Sequence, residues 1–355
     1  VTARPDETTP GTSGPARWSV ARLSASLVAS VVVWALLASA CMAVGSTGGV
    51  GWPTREVVFR ERLDVVLLAS LVGAALASAG VVYQSILRNP LADPYLLGVS
   101  SGATLAAYLW QFPAATALLA FAAGDGAYVG QQVAAFIGAV VSVGIVFLVA
   151  TRHGRLEPVT LLLVGVIVNA VNGAVFLLIN ALVKDPATPG GPLAMLVGGL
   201  RTTLPAGHKA VAAGAVALGW TALLYVSGAL HVAALSDAEA ESLGVRIHRL
   251  RWAALLIASL VTAAAVSLSG PIGFVGLVCP HLARLLTGND ARRLLPLATA
   301  LGAGLLALAD AATRVLARPG AAATDLPVGV LTGLAGGPFF LLLLLRARKR
   351  GERSA

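Results

Sequence analysis

The sequence predicts an all-α, polytopic membrane protein of about ten transmembrane helices, and three observations carry that expectation. First, the 355 residues are 57% hydrophobic and only 12% charged, with a mean hydropathy of +0.85. A soluble domain would carry about 25% charged residues. Second, apolar runs of about 20 residues, long enough for a helix to cross hydrocarbon, recur along the chain. Third, these runs do not alternate apolar and polar residues, as barrel strands do over about ten positions.

Residues 1–16 are rich in Pro, Gly, Thr and Ser and are expected to form a disordered tail. Arg17 and Arg22 precede an apolar run ending near Val44. It resembles a secretory signal, and Leu37–Cys41 resembles a lipoprotein cleavage site. The run is long for a signal core and more membrane runs follow, so an uncleaved first helix is expected. The other runs are 62–86, 95–112, 127–150, 157–183, 207–235, 249–268, 271–287, 294–317 and 325–346. The apolar piece Pro192–Leu200 is too short to span and is expected as a half-helix. The expected division is a tail (1–16), a membrane domain (17–346) and a basic tail (347–355).

A polar hinge separates the second and third runs: R-N-P-L-A-D-P-Y-L-L-G-V-S-S-G-A, Arg88–Ala103. Pro90 and Pro94 each lack a backbone donor and push the preceding residue out of helical geometry, so one helix ends here and another begins. Arg88, Asn89 and Asp93 do not lie unpaired in hydrocarbon, which places the hinge at a membrane surface or a protein-lined cavity.

The net charge of +9 comes from basic residues that cap apolar runs, a topology signal with no nucleic-acid partner implied. With both termini in the cytoplasm, seventeen of the 25 Lys and Arg face inward and eight outward, which favours that orientation and an inner hinge.

Chemistry of its own is not expected. None of the three lysines, Lys184, Lys209 and Lys349, follows a glycine, so there is no Walker A loop, and any ATP hydrolysis belongs to another chain. Acidic residues fall at run ends. The nearest exception, Asp310, lies one helical turn from Arg314 and can pair with it. No paired carboxylates, nucleophile–His arrangement or H-E-x-x-H is present, so no catalytic residue, metal site or cofactor is assigned. Cys41 and Cys279 lie inside apolar runs and read as small core residues. Pro280 must kink its helix or be re-satisfied by neighbours, and His281 beside it reads as a local hydrogen-bonding residue.

The segment Ala234–Arg251, A-L-S-D-A-E-A-E-S-L-G-V-R-I-H-R-L-R, is the most informative polar piece. Ser236 can cap a helix whose first turn holds Asp237 and Glu239, and Gly244 suits its end. A short amphipathic helix is expected to protrude into the cytoplasm. Ala238, Glu241 and Leu243 are placed to fill a groove on a partner. The plainer alternative is a solvated connector.

The residues V-G-A-A-L-A-S-A-G-V-V-Y-Q (Val72–Gln84) followed by the Arg88–Ala103 hinge resemble the FecCD/BtuC-type permease subunit of ABC importers for iron–siderophores, haem and cobalamin. So do Gly270–Pro296, Leu308–Arg314 and Asp325–Arg346. The resemblance implies a homodimeric, multi-pass permease of the bacterial inner membrane, built on a distant inverted repeat. It implies two ATPase subunits that carry ATP and Mg, and a periplasmic or lipid-anchored substrate-binding protein. It implies an iron-chelate cargo (siderophore or haem), with cobalamin as the alternative. An ion-gradient-driven transporter is the reading of a different class.

The resemblance also assigns residues. Asp237, Ala238, Glu239, Ala240, Glu241, Leu243, Gly244 and Val245, in a loop of about 234–248, would couple to the ATPase. Asn89 and Leu91 would narrow the cytoplasmic end of the pathway. Arg62 and Arg314 would dock the binding protein, or else simply snorkel to the interface. The family's R-L-P-R reads R-L-D-V here, with Asp64 for proline and Val65 for the second arginine. Arg60 is then the nearby candidate for the missing contact.

Overall fold

The computed structural model describes residues 20–45, 51–112, 127–152, 155–183, 195–200, 204–234, 236–316 and 326–354. The expected tail, 1–16, lies outside them. Twelve α-helices occur among the described residues: α1 (Val20–Met42), α2 (Glu56–Ile86), α3 (Val99–Leu109), α4 (Ala127–Ala150), α5 (Pro158–Leu182), α6 (Ala206–Tyr225), α7 (Ser227–Ala233), α8 (Asp237–Ser242), α9 (Ile247–Ser269), α10 (Val275–Thr287), α11 (Ala291–Leu316) and α12 (Val328–Ser354). The strand content described is a two-residue antiparallel hairpin between α4 and α5, with Thr151 opposite Leu156. The all-helical membrane architecture expected from the sequence is therefore present.

Helices α1, α2, α4, α5, α9 and α11 are long and apolar enough to cross a bilayer. α6 and α7 read as one run in the sequence but bend by 59° at their junction. α3, α10 and the Val328–Leu342 part of α12 are shorter apolar helices.

The short helices correct the run-length reading. The run at 95–112 opens with a 3-10 turn, Pro94–Leu97, before α3 begins. Asp93 caps that turn by accepting the Tyr95 N–H at 2.9 Å, and Gly98 leaves it at φ 79°. The run at 271–287 becomes helical only at Val275, since Gly270, Pro271 and Gly273 interrupt it. α2 starts well before residue 62, because Glu56 complements the helix dipole and lies one turn from Arg60. Arg60 and Arg62 are therefore helical. α12 runs on through the segment expected as a tail, where Arg, Lys and Glu favour helix.

The half-helix expected over Pro192–Leu200 is not formed in its described part. Met195–Leu200 is a non-helical strap. The Gly198 N–H donates to the Pro271 carbonyl at 2.7 Å and the Gly199 N–H to the Ser269 carbonyl at 2.8 Å. The Gly329 N–H donates to the Gly198 carbonyl at 2.9 Å. The end of α9 leaves carbonyls without intrahelical partners, and two poor helix formers satisfy them better as a strap.

α2 is the centre of the packing, in contact with α1, α6, α9, α10 and α11. Its backbone touches two neighbours directly. A Cβ on Gly73 would lie 2.1 Å from the Gly302 carbonyl oxygen of α11, and one on Gly80 only 1.9 Å from that of Gly276 on α10. In lipid there is little hydrophobic drive between helices, so such small-residue seams supply the packing. Polar groups fasten the same helices: the hydroxyls of Tyr83 (α2) and Ser259 (α9) lie 2.6 Å apart. Pro280 has no N–H for the Gly276 carbonyl four residues back, and Gln84 Nε2 on α2 reaches that oxygen at 3.4 Å. The proline is thus re-satisfied by a neighbouring helix, as expected.

Gly73→Ala should lower stability by about 1–3 kcal/mol or more, the cost of overpacking a seam. Gly214→Ala, with nothing near its added Cβ, should be neutral or stabilising by up to about 1 kcal/mol. Midpoints of heat-induced loss of the monodisperse chromatographic peak in detergent measure both.

Candidate functional site

Three places hold the residues singled out in the sequence: the α8 knob, the hinge and the opposite end of α2 and α11.

α8 forms with both caps intact. The Ser236 hydroxyl accepts the Glu239 N–H at 3.2 Å, and the Glu239 carboxylate accepts the Ser236 N–H at 2.9 Å, a capping box. At the other end Gly244 lies at φ 80°. The Gly244 N–H donates to the Glu241 carbonyl at 2.9 Å and the Val245 N–H to that of Ala240 at 3.0 Å. These two bonds make a Schellman close, which a residue with a Cβ adopts only under strain.

The knob has an inner and an outer face. Ala240 is fully buried against the chain, as is Ile247 beyond the turn. Ala238, Glu239, Glu241, Leu243 and Gly244 are exposed, and Val245 is half-buried. Leu243 is 63% exposed, unusual for a leucine in a polar segment. Of the predicted coupling residues, Ala240 therefore anchors the helix and the exposed ones form its outer surface.

Asp237 does something no sequence pattern announced. Its carboxylate accepts from Arg88 of the hinge at 2.6 Å and from both terminal nitrogens of Arg251 on α9 at 2.7 and 3.0 Å. Arg251 is only 5% exposed. Partial burial pushes the Asp237 carboxyl up, but the hydrogen bonds from Arg251 and then Arg88, with their charges, outweigh it and hold the group below the usual carboxylate range. The Ser236 hydroxyl likewise holds Glu239 low.

Arg88 adopts a left-handed φ of 48° and also donates through Nε to the Ala233 carbonyl at 3.1 Å. The next residue is Asn89, whose side-chain oxygen accepts the Leu91 N–H at 3.0 Å. Both expected gate residues are half-buried in this turn. Farther along, the Tyr95 hydroxyl accepts the Ile272 N–H at 2.6 Å, and Asn169 Nδ2 on α5 donates to the Tyr95 carbonyl at 2.8 Å. The hinge is therefore bonded to α5, α8 and the α9–α10 junction at once.

The arginines expected to dock a partner are differently placed. Arg62 donates to the carbonyls of Met42 and Gly51, both at 2.8 Å, and so closes the end of α1. Arg314 pairs with Asp310, the one-turn pair expected from their spacing, and donates to the Val44 carbonyl at 3.2 Å. Both guanidinium groups hold the segment after α1. Arg60 alone of the three is largely exposed, its side chain 76% accessible beside Glu56. Asp64, the departure from the family pattern, pairs with Lys209 of α6 at 2.7 Å. A cavity of about 580 Å³ borders Arg314, lined also by Thr104, Gln132, Ser269 and Asp310. Cys41 and Cys279 are buried and free, and His281 packs edge-on to Phe339, with centroids 6.2 Å apart.

Comparison with known proteins gives a consistent picture. A family model described as the FecCD transport family matches residues 20–346. The chain is 40% identical over 325 residues to the uncharacterised ABC transporter permease YvrB of Bacillus subtilis, covering 87% of this chain and 84% of that protein. It is 37% identical over 320 residues to the cobalamin import system permease BtuC of Halobacterium salinarum (84% and 80% covered). It is 38% identical over 298 residues to the hemin transport system permease HmuU of Yersinia pestis (81% and 83% covered). Its fold matches a solved structure of a metal-chelate type ABC transporter in an inward-facing conformation. The TM-score is 0.75 at 27% identity, covering 91% of this chain and 99% of the other.

Because the folded-state pKa of Asp237 lies below the ordinary 3.8, its tie to Arg88 and Arg251 is complete above that pH and is lost as pH falls through the lowered value. A spin label at Leu243→Cys, selective because both native thiols are buried, should be immobile at pH 7 and become mobile only once pH has fallen below 3.8 and through the lowered value. With Asp237→Asn added, it should already be mobile at pH 7.

Proposed function

The chain belongs to the FecCD transport family, and from that premise we propose that it is the membrane subunit of a homodimeric, binding-protein-dependent ABC importer for an iron chelate. The protein is a multi-pass membrane permease. Its ten spans are the six long helices, the bent α6–α7 pair and the three shorter apolar helices, with both termini in the cytoplasm. The permease domain is 17–346. Two ATPase subunits supply ATP and Mg, and a periplasmic or lipid-anchored protein delivers the cargo. Relatives named for hemin and Fe(3+) dicitrate support a haem or siderophore cargo. Those named for cobalamin keep that chelate as the alternative.

The observation that carries the reading is the fixed connection between α8 and the hinge. An exposed acidic helix, with Leu243 presented outward, is attached through Asp237 to Arg88, one residue from Asn89. A partner that moves α8 pulls on the hinge through a charge-assisted hydrogen bond, about twice as strong as a neutral one. α5 leaves a broad apolar face for a second copy, with Val159, Leu163, Ile167, Val171 and Leu178 exposed.

At the opposite face, Arg60, exposed beside Glu56, is the one of the three predicted arginines that can meet acidic residues of a binding protein. Arg62 and Arg314 shape the surface from behind by holding the segment after α1. The chain itself needs no bond-breaking chemistry for this cycle.

The reading is tested by co-reconstituting the permease with its ATPase and binding protein in liposomes and following ATP-dependent uptake of a ferric siderophore, haem and cobalamin. Uptake by this chain alone on an ion gradient would overturn it. Glu241→Lys or Gly244→Val should cut uptake per ATP hydrolysed by about tenfold or more, the effect of losing one or two hot-spot contacts, with the detergent elution profile unchanged. Arg60→Glu should weaken binding-protein capture most at low ionic strength. Arg314→Glu should instead reduce stability, because it sets a second carboxylate against Asp310.

A further inference from the structure

α1 and α6 both pack on the α2–α11 pair, and between them lies a crevice of about 780 Å³. Its base is Leu68, Leu71 and Ala74 of α2 with Ala300 and Ala303 of α11. Nothing in the transport reading uses it.

The polar groups around it are arranged in a particular way. Two indoles line the crevice, and each turns its N–H into the wall. Trp34 Nε1 donates to the Ser70 hydroxyl and Trp220 Nε1 to the Thr299 hydroxyl, both at 2.9 Å. The inner lining therefore presents hydrocarbon and ring faces. Charge appears at one end only, where Lys209 Nζ meets Asp64 at 2.7 Å. Asp64 stays half accessible, at 54% of its side chain, and Lys209 retains 21%.

The dimensions match one molecule type. From Lys209 to Trp220 the α6 axis rises about 16 Å. One leaflet is about half of a roughly 30 Å hydrocarbon core. A slot one leaflet deep, apolar along its length and charged at its mouth, has the form of a phospholipid chain below its headgroup. The mouth carries both signs, and its two charges are neighbours. That suits a headgroup with a phosphate for Lys209 and a primary ammonium for Asp64, and suits a purely anionic headgroup poorly, since Asp64 would repel it.

We propose that this crevice is a binding site for one chain of an ethanolamine-type phospholipid, with Lys209 and Asp64 holding its phosphate and ammonium. In the orientation above, the lipid comes from the outer leaflet. Asp64 stands where the family pattern has proline, so the headgroup contact is a feature of this chain. The site follows from the membrane setting and does not depend on which substrate is carried.

The test counts lipids on the purified permease by native mass spectrometry after titration with dioleoyl phosphatidylethanolamine or dioleoyl phosphatidylglycerol. The expected result is one ethanolamine lipid retained per chain in preference to the glycerol lipid. Lys209→Gln or Asp64→Asn should reduce that occupancy by about tenfold, the loss of one charge-assisted contact. Ala213→Phe, which fills the slot, should abolish it while the protein elutes as before. Equal retention of the two lipids overturns the proposal, as does unchanged retention in all three variants. So does a change of oligomeric state in Ala213→Phe with lipid retention unaltered, which would assign the crevice to a second copy.

Discussion

The structure depends on backbone touching backbone along α2. Gly73 meets Gly302 and Gly80 meets Gly276 at separations that leave no room for a Cβ. This brings α10 and α11 onto one helix, and α9 follows through the Tyr83–Ser259 bond. Hydrocarbon offers no water for stray polar groups and little reason for apolar surfaces to associate. Close contact and internally satisfied hydrogen bonds are what remains. The proline of α10 illustrates the second condition: it costs a backbone bond, and Gln84 from α2 replaces it.

That close-packed centre leads directly into the hinge. The hinge follows directly from the end of α2, so Arg88 lies just beyond the helix at the centre of the packing. Asp237 joins it to α8, and Arg251 joins α8 to α9. One carboxylate thus ties an exposed helix to two elements of the core. Asp237 stays partly accessible, and the nearly buried Arg251 meets it through a two-pronged contact whose hydrogen bonds and charge outweigh the burial of the carboxylate. The hinge is also hydrogen-bonded through Tyr95 to α5 and to the α9–α10 junction where the strap is bound.

The opposite face works differently. There the arginines are used as fasteners for the end of α1, whose terminal carbonyls lack helical partners. Arg62 and Arg314 come from different helices yet both donate to backbone carbonyls close to the end of α1, those of Met42 and Gly51 for Arg62 and of Val44 for Arg314. Their positions in a motif suggested a partner-facing role. In the fold both donate to backbone carbonyls, whereas Arg60, the third arginine considered, is exposed beside Glu56.

The sequence by itself determined what depends on local composition. Run length and the absence of alternation set the membrane class. Ser236, Glu239 and Gly244 set both ends of α8, because capping involves residues only a few positions apart. Asp310 and Arg314 were legible as a pair for the same reason. Tertiary structure alone decided that Asp237 joins Arg88 and Arg251, that Asp64 joins Lys209, and that Ala240 faces inward while Leu243 faces out. It also decided that the piece before α6 is a strap, since the carbonyls it satisfies belong to residues far along the chain. Short-range order can be read from neighbours in sequence, whereas a charge finds its partner only after the helices have packed.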